Sequence, residues 1–348
     1  MGAATRELHT VAGAQWPDGG LEPVPECPTC DATERELLHA GLTDRLFGCA
    51  PGTWSFWRCW SCGSAYLDPR PTEETILLAY GDYFTHDDAV ARPDARLGRL
   101  RDSLANGYLN ARYGTPLRPA SRLGPAVVKL FPLRRVKTDR EVRHLARPRT
   151  GGTVLDVGCG NGDFLFQAQR AGWRALGVDP DPRAVASCRR AGLSASQGTI
   201  ETVDLPPGSL DAVTFAHVIE HVHHPRRALA RAHELLRPGG VLWLATPNLS
   251  SAGHAHFGPE WLGLDPPRHL AVFTRGALER AVVEAGFKIL ARPTASFTSW
   301  IYGESARLAG GGRSSAVARV RTRLADARAL VRPARAEELL LVAQRVGP

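Results

Sequence analysis

From Thr153 onward, short apolar runs alternate with amphipathic stretches along this chain of 348 residues. The runs at 153–157, 174–179, 211–215, 241–245, 287–291 and 339–344 read as buried strands, because they are brief and rich in Val, Leu and Ala. The segments between them carry apolar residues at helical spacing. Asp181-Pro182 supplies an N-cap and a proline in the first turn for one helix, and Gly192 stops it; Thr274 and Gly286 do the same for another. A helix near 225–236 ends at Pro238-Gly239-Gly240. Strand and helix in alternation predict an open, mostly parallel α/β sheet.

Before Thr153 the pattern is helical. Pro71-Thr72-Glu73-Glu74 with Ile76, Leu77 and Leu78 starts one helix, which leads to Tyr83-Phe84, and 94–114 and 121–147 read as two Arg-rich helices that form a cap packed against the sheet. Residues 298–335, Arg/Ala-rich and joined by Gly310-Gly311-Gly312, read as a helical insertion before the final strand. The chain divides accordingly into a disordered tail over 1–20, a small unit over 21–71, a helical cap and linker over 72–148, and the α/β core over 149–348. Within the tail only Trp16 offers a docking side chain.

The unit over 21–71 carries two Cys-x-x-Cys knuckles. Cys27, Cys30, Cys59 and Cys62 have the spacing of a closed four-thiolate zinc site, whose role is structural because no coordination position stays open. The run Thr53-Trp54-Ser55-Phe56-Trp57-Arg58 before the second knuckle reads as an aromatic strand forming the core of this ribbon. Cys49, Cys159 and Cys188 are scattered, and an odd total of 7 argues against a disulfide framework.

Composition excludes some classes and leaves others. Hydrophobic residues make up 43%, enough for a full core, and no apolar run reaches a membrane-spanning length. With a polar N-terminus, this predicts a cytoplasmic protein with no membrane partner. The net charge is +8, yet Lys129, Lys137 and Lys288 are the only lysines. Arginine spread so widely reads as compositional bias; a nucleic-acid footprint would cluster on one element.

Chemistry concentrates at Val154-Leu155-Asp156-Val157-Gly158-Cys159-Gly160-Asn161-Gly162-Asp163-Phe164. A strand that turns through glycines into a helix presents free backbone N–H groups to a ligand. Asp179 ends the next strand, close to the spacing at which a carboxylate meets ribose hydroxyls. Asp163 stands where a nicotinamide-binding turn has its third glycine, which disfavours a dehydrogenase.

Together with Gly177-Val178-Asp179, His217-Val218-Ile219-Glu220-His221-Val222 and Leu236-Arg237-Pro238-Gly239-Gly240, that turn resembles the class I S-adenosylmethionine-dependent methyltransferases. The resemblance spans about 200 residues and implies a Rossmann-like seven-stranded sheet whose last strand is antiparallel. It implies that Gly158, Cys159 and Gly160 pass under the methionine part of the cofactor, that Asp156 braces the turn, and that Asp179, followed by Pro180, takes the ribose. Adenine falls at Gly198-Thr199-Ile200-Glu201, where Thr199 replaces an acid common in relatives and Ile200 packs the ring. His217 lies beside the sulfonium. The four-cysteine ribbon followed by Leu67-Asp68-Pro69-Arg70-Pro71 looks like bacterial methyltransferases of sugar, polysaccharide and natural-product pathways, without their large C-terminal domain.

The function this implies is O- or C-methylation of a sugar or natural-product intermediate, nucleotide-linked or carrier-linked, by a chain that can form oligomers. Proton removal would fall to His217, His221, His223, His224 or His269, with His217, His269 and His221 the foremost candidates. No paired Asp cluster follows the fourth strand, so the histidines by themselves make no Mg²⁺ site. Two rival readings are an RNA or DNA methyltransferase gripping its substrate with the ribbon, and a non-catalytic cofactor-binding partner. Against the first, neither an Asp-Pro-Pro-Tyr-like tetrad nor a Pro-Cys pair follows the fourth strand.

Overall fold

The computed structural model describes residues 15–81, 96–147, 151–294, 298–310 and 316–347. Its N-terminal strands are β1 (Leu21–Glu22), β2 (Arg35–Leu42), β3 (Trp54–Cys59), β4 (Ala65–Leu67) and β5 (Arg70–Pro71). β1 pairs with β5, while β2, β3 and β4 form an antiparallel meander. Trp54 and Phe56 are buried within it, so the aromatic strand is the ribbon's core. Trp16 packs edge to face on Trp54 and donates to the Gly20 carbonyl at 3.0 Å. The expected disordered tail therefore does not extend to residue 20; residues 1–14 lie outside the described part.

The cap differs from its sequence pattern in two places. After Pro71 there is one 3-10 turn, Ile76–Tyr80, and Tyr83-Phe84 lies outside the described residues. The helix expected over 121–147 is two, α2 (Gly124–Lys129) and α3 (Pro132–Glu141), because Pro132 cannot continue a helix and opens the next one instead. α1 (Arg96–Tyr113) crosses α2 so closely that a Cβ on Gly124 would sit 2.2 Å from the Leu104 carbonyl oxygen, and one on Gly107 1.9 Å from that of Ser121. Only glycine admits this crossing.

The core then alternates β6 (Thr153–Val157), α4 (Asp163–Arg170), β7 (Arg174–Asp179), α5 (Pro182–Arg190), β8 (Ser194–Gln197), β9 (Leu210–Ala216), α6 (Pro225–Leu235) and β10 (Leu236–Pro247). After α7 (Ala252–Phe257) come β11 (Ala271–Val272), α8 (Arg275–Glu284), β12 (Phe287–Ala291), α9 (Thr298–Ala309), α10 (Ala316–Val331) and β13 (Glu338–Arg345). Seven strands form one sheet in the order β12-β13-β10-β9-β6-β7-β8, with β13 antiparallel to both neighbours and the pairs from β10 to β8 parallel. This is the seven-stranded arrangement that the sequence resemblance implies. Asp181 caps α5 by accepting from Arg183 N at 2.7 Å, and Thr274 caps α8. β10 starts directly after α6, with its pairing to β9 interrupted between Leu236 and Val241 where Pro238-Gly239-Gly240 bulges.

Buried side chains cover both faces of the sheet, as its long apolar strands require. Tyr108, Leu109 and Val128 of α1 and α2 join Leu165, Trp173 and Trp243 in one cluster; Leu229, Leu278, Phe215 and Leu244 form the other. The ribbon is not a separate bead. β11 leaves the core to pair with β4, extending the meander to four strands, and Leu67 N donates to Leu270 O at 3.0 Å.

Candidate active site

The glycine turn connects β6 to α4, with Gly158, Gly160 and Gly162 all at positive φ. Val218, just past β9, closes against it so tightly that a Cβ on Gly158 would meet Val218 Cγ2 at 2.5 Å. One strand over, the Asp179 carboxylate at the end of β7 accepts from Gly160 N and Asp181 N, each at 2.9 Å. Burial pushes its pKa up, and these two backbone donors pull the other way. Two single bonds leave lone pairs on both oxygens, and open space stands above Gly160, so turn and carboxylate fit a ribose and the chain attached to it.

Asp156 has a different task from the one the sequence suggests. Its carboxylate does not touch the turn: it is buried against Arg143, with a second contact of 3.1 Å, and accepts from the Thr214 hydroxyl at 3.0 Å. The Arg143 guanidinium in turn lies 3.6 Å from the centroid of Phe164. This places a cation beside Cys159 and the start of α4. Ile200 is buried and belongs to the core cluster that also contains Val178 and Leu210. Thr199 is exposed, its N–H held by Thr202 Oγ1 at 2.9 Å, and the Pro180 carbonyl accepts from Gln197 at 3.4 Å.

The acceptor side is built from histidines that do not behave alike. His217, at φ +55°, has Nδ1 3.2 Å from Glu220 and Nε2 2.7 Å from Glu338, which is also paired with Arg140. Burial opposes a charge on this ring, but two carboxylates at its two nitrogens overcome that and raise its pKa to about 9. Glu338, resisting burial through Arg140 and His217, falls to about 2. The ring is thus a cation at neutral pH, with no lone pair for an acceptor proton. Held between two carboxylates, this ring is poorly suited to the base role that the sequence proposes for it.

His221 and His269 are the reverse. His221 Nδ1 lies 2.9 Å from both the Arg268 carbonyl oxygen and the Tyr80 hydroxyl, and His269 Nδ1 lies 2.8 Å from the Gly263 carbonyl oxygen. A carbonyl only accepts, so each Nδ1 bears a hydrogen, and Nε2 is the atom of each ring left for another partner. Burial and the neighbouring His269 hold His221 down at about 4. One ring nitrogen from each and a Glu220 carboxylate oxygen lie within 4.8 Å of one another. Glu220, from the strand end, adds to the two histidines a third potential ligand that the sequence reading did not group with them. His223 and His224 recede, the first bonded at 2.9 Å to the Pro71 carbonyl and the second 3.7 Å from Glu73 on the surface.

Residues far away in sequence hold this wall. Arg268 is fully buried, with bonds to both oxygens of Asp44, both of Asp265 and the Ala79 carbonyl. Glu338 and Arg140 escape sequence reading because neither belongs to a spaced motif. The one available signal for Glu338 is a charge opening an otherwise apolar strand, Glu338-Leu339-Leu340-Leu341-Val342.

In the ribbon, both knuckles end on left-handed residues, Asp31 and Gly63, whose backbone N–H groups return to the carbonyls of Cys27 and Cys59. The sulfur pairs Cys27–Cys62 and Cys30–Cys59 are 3.7 and 3.6 Å apart. A tetrahedron with bonds of about 2.3 Å to zinc has edges of about 3.8 Å, so the four thiols fit that ion.

Comparison with known proteins agrees with this geometry. Residues 133–292 match the family model described as a methyltransferase domain. A ubiquinone biosynthesis O-methyltransferase of Xanthomonas campestris pv. campestris is 35% identical over 160 residues, which cover 44% of this chain and 61% of that protein. An uncharacterized 37.1 kDa protein in transposon TN4556 of Streptomyces fradiae is 35% identical over 111 residues, covering 30% of this chain and 32% of that one. The matches thus span only about three-fifths of the first relative's length, and less of the second. Among solved structures, an S-adenosylmethionine dependent methyltransferase from Mesorhizobium loti aligns at 20% identity and a TM-score of 0.43, over 60% of this chain and 98% of its own.

Proposed function

We propose that this chain, whose residues 133–292 match the methyltransferase-domain family model, transfers the methyl group of S-adenosylmethionine to a hydroxyl oxygen of a small-molecule acceptor. The carrying observation is Asp179, a buried carboxylate whose two backbone bonds, one of them to the glycine turn, aim its remaining lone pairs at the opening beside that turn. Asp179 holds the ribose diol, and the backbone of Gly158, Cys159 and Gly160 lines the methionine arm.

When bound, the cofactor supplies an already activated methyl group, so the chain's own work is alignment and removal of one proton. His217, fixed between Glu220 and Glu338, shapes the wall beside the reacting centre. His221, held neutral by its buried surroundings, is the base we assign, with the His269 ring beside it. With Glu220 they also suit a divalent cation, since a ring tied through Nδ1 to a carbonyl is oriented to ligate through Nε2. A cation there would lower the pKa of an acceptor hydroxyl.

One of the two relatives, the Xanthomonas protein, is named an O-methyltransferase, which supports oxygen over carbon; a sugar or natural-product intermediate is the acceptor class we assign. Zinc in the four-cysteine cluster keeps the ribbon folded and, through β4 and β11, steadies the loop that carries His269. Trp54 and Phe56 are buried and offer no face for stacking bases, while Trp60 of the second knuckle is exposed.

Calorimetry with S-adenosylhomocysteine tests the cofactor reading. Wild type should bind, and Asp179→Ala should bind at least about tenfold more weakly, the loss of a charge-assisted bond pair. No heat from folded, zinc-loaded wild type would sink the proposal; unchanged affinity in the variant would sink the ribose assignment. Transfer of labelled methyl into the RNA of a cell extract rather than its small molecules would overturn the acceptor class.

A further inference from the structure

The break between α2 and α3 faces outward. At this corner Leu130 is 76% and Phe131 56% exposed; Leu123, before α2, is 68% exposed, and Leu133, in the first turn of α3, is exposed as well. Arg134 donates to the Arg101 carbonyl at 3.1 Å, which joins the start of α3 to α1 next to Leu100, another exposed leucine. Large apolar side chains gathered at a projecting corner indicate a surface that is covered in use.

Charge narrows what covers it. From Ser103 to Thr138 the chain carries Arg112, Arg118, Arg122, Lys129, Arg134, Arg135 and Lys137, and no Asp or Glu at all. The next acid, Asp139, is buried and accepts from the Tyr108 hydroxyl at 2.9 Å. Arg122, Lys129 and Arg135 are exposed around the corner. Two of the three lysines in a chain that otherwise uses arginine lie in this segment. Protein interfaces tend to exclude lysine from their apolar centres. An anionic bilayer accepts the mixture: Leu and Phe enter the boundary between headgroups and acyl chains, while Lys and Arg lay their stems along it and keep their charges at the phosphates.

We propose that the α2–α3 corner, with Leu123, Leu130, Phe131 and Leu133 set among Arg122, Lys129 and Arg135, is a surface that adsorbs to anionic lipid bilayers. This is adsorption only; among the described residues no helix is long and apolar enough to cross a membrane. It departs from the sequence expectation of no membrane partner, since a helix packed along its whole length would hide these side chains. From Leu133 to Arg140, whose guanidinium meets Glu338 and His217, α3 runs about 10 Å along its axis, so adsorption brings the acceptor side close to the interface. The inference stands on the surface alone and is independent of methyl transfer.

Co-sedimentation of the full chain with phosphatidylcholine vesicles, with and without about 30% phosphatidylglycerol, tests it. Binding to the anionic vesicles should be about tenfold tighter and should weaken between about 50 and about 300 mM salt. Leu130→Ser/Phe131→Ser, at exposed positions where folding is not at stake, should lose about tenfold or more in vesicle affinity, with melting temperature and S-adenosylhomocysteine affinity unchanged. Arg122→Gln/Lys129→Gln/Arg135→Gln should abolish the preference for anionic lipid. Equal pelleting with and without anionic vesicles, or an undiminished Ser pair, overturns the proposal. So does a dimer that the Ser pair dissociates in the absence of vesicle binding, since a second copy would then be the cover. Salt-sensitive RNA binding in place of vesicle binding overturns it too.

Discussion

His221 and His269 meet edge to face with ring centroids 4.7 Å apart, each anchored through Nδ1 to a backbone carbonyl of the loop over 263–268. Two imidazoles oriented in this way beside Glu220 form a hard-to-intermediate donor set, distinct from the four thiolates of the ribbon. Mn²⁺ added to zinc-loaded protein should therefore bind here, seen by electron paramagnetic resonance. His269→Ala and His221→Ala should each weaken it by about tenfold or more, and neither should release zinc. Full Mn²⁺ binding by the double variant would leave these rings as proton acceptors only.

Arg268 is the buried cation between two carboxylates, Asp44 from the ribbon and Asp265 from the loop before His269. Burial works against the Asp44 charge, yet Arg268 and the backbone donors of Phe47 and Ala50 bring its pKa down to about 2. Removing one partner of such a cluster leaves unsatisfied charge and costs about 3–5 kcal/mol. Asp44→Ala should lower stability by that order and weaken activity through the His269 loop. The carboxylate has its folded pKa below its ordinary 3.8, so its contribution is present above that pH and disappears as pH falls through about 2. A denaturation midpoint within error of wild type would show that the cluster carries no stability.

Glu338 compensates Arg140 and His217 from beneath, its side chain wholly buried. Glu338→Ala should cost about 3 kcal/mol in chemical denaturation, and Glu338→Gln less, because the amide still accepts a hydrogen bond. If the histidine positions the acceptor, Glu338→Gln also lowers kcat more than it changes S-adenosylhomocysteine affinity. Equal losses in both would reduce the carboxylate to a structural role.

Which of these residues the sequence discloses depends on how they are encoded. The glycine turn, Asp179 and the cysteine knuckles are contiguous or tightly spaced, because a single turn of backbone builds each of them, and they are found by reading along the chain. Asp156 shares that motif and still misleads: its partner, Arg143, precedes β6 at a left-handed backbone position that no local pattern marks. Glu338 meets His217 only through the sheet order, in which the antiparallel β13 lies beside β10 and delivers its first residue to the strand ends, and Glu220 meets His269 where Leu270 N donates to the Glu220 carbonyl. The outward corner at Leu130 is likewise a tertiary fact. Its composition suits a packed helix, and only the turn at Pro132 exposes it.

Chelation probes the ribbon's tie to the core. Structural zinc contributes on the order of 10 kcal/mol to small modules of this kind. Removing it should unfold β2, β3 and β4, and because β4 is paired with β11 two residues from His269, it should also reduce turnover while S-adenosylhomocysteine affinity at the β6–β7 turn changes little. Cys59→Ser should reproduce the effect. Loss of cofactor binding in step with zinc would show instead that the whole chain unfolds as one unit.

His144 makes the acid side of the stability curve testable. At φ +56° it sits where the Trp243 indole donates to its Nδ1 at 3.2 Å, so the ring must be neutral there. Burial drives its pKa from 6.5 down to about 4. A histidine depressed in this way adds stability that is full above 6.5 and is lost as pH falls towards 4, at most about 3 kcal/mol for such a shift. His144→Asn keeps a residue type that tolerates the left-handed backbone and removes the titration. Other histidines lower the acid stability of both proteins equally, so the informative quantity is the gap between their melting temperatures. Wild type should lead at pH 7 and lose most of that lead by pH 4.5; parallel curves over this range would mean that the ring carries no such linkage.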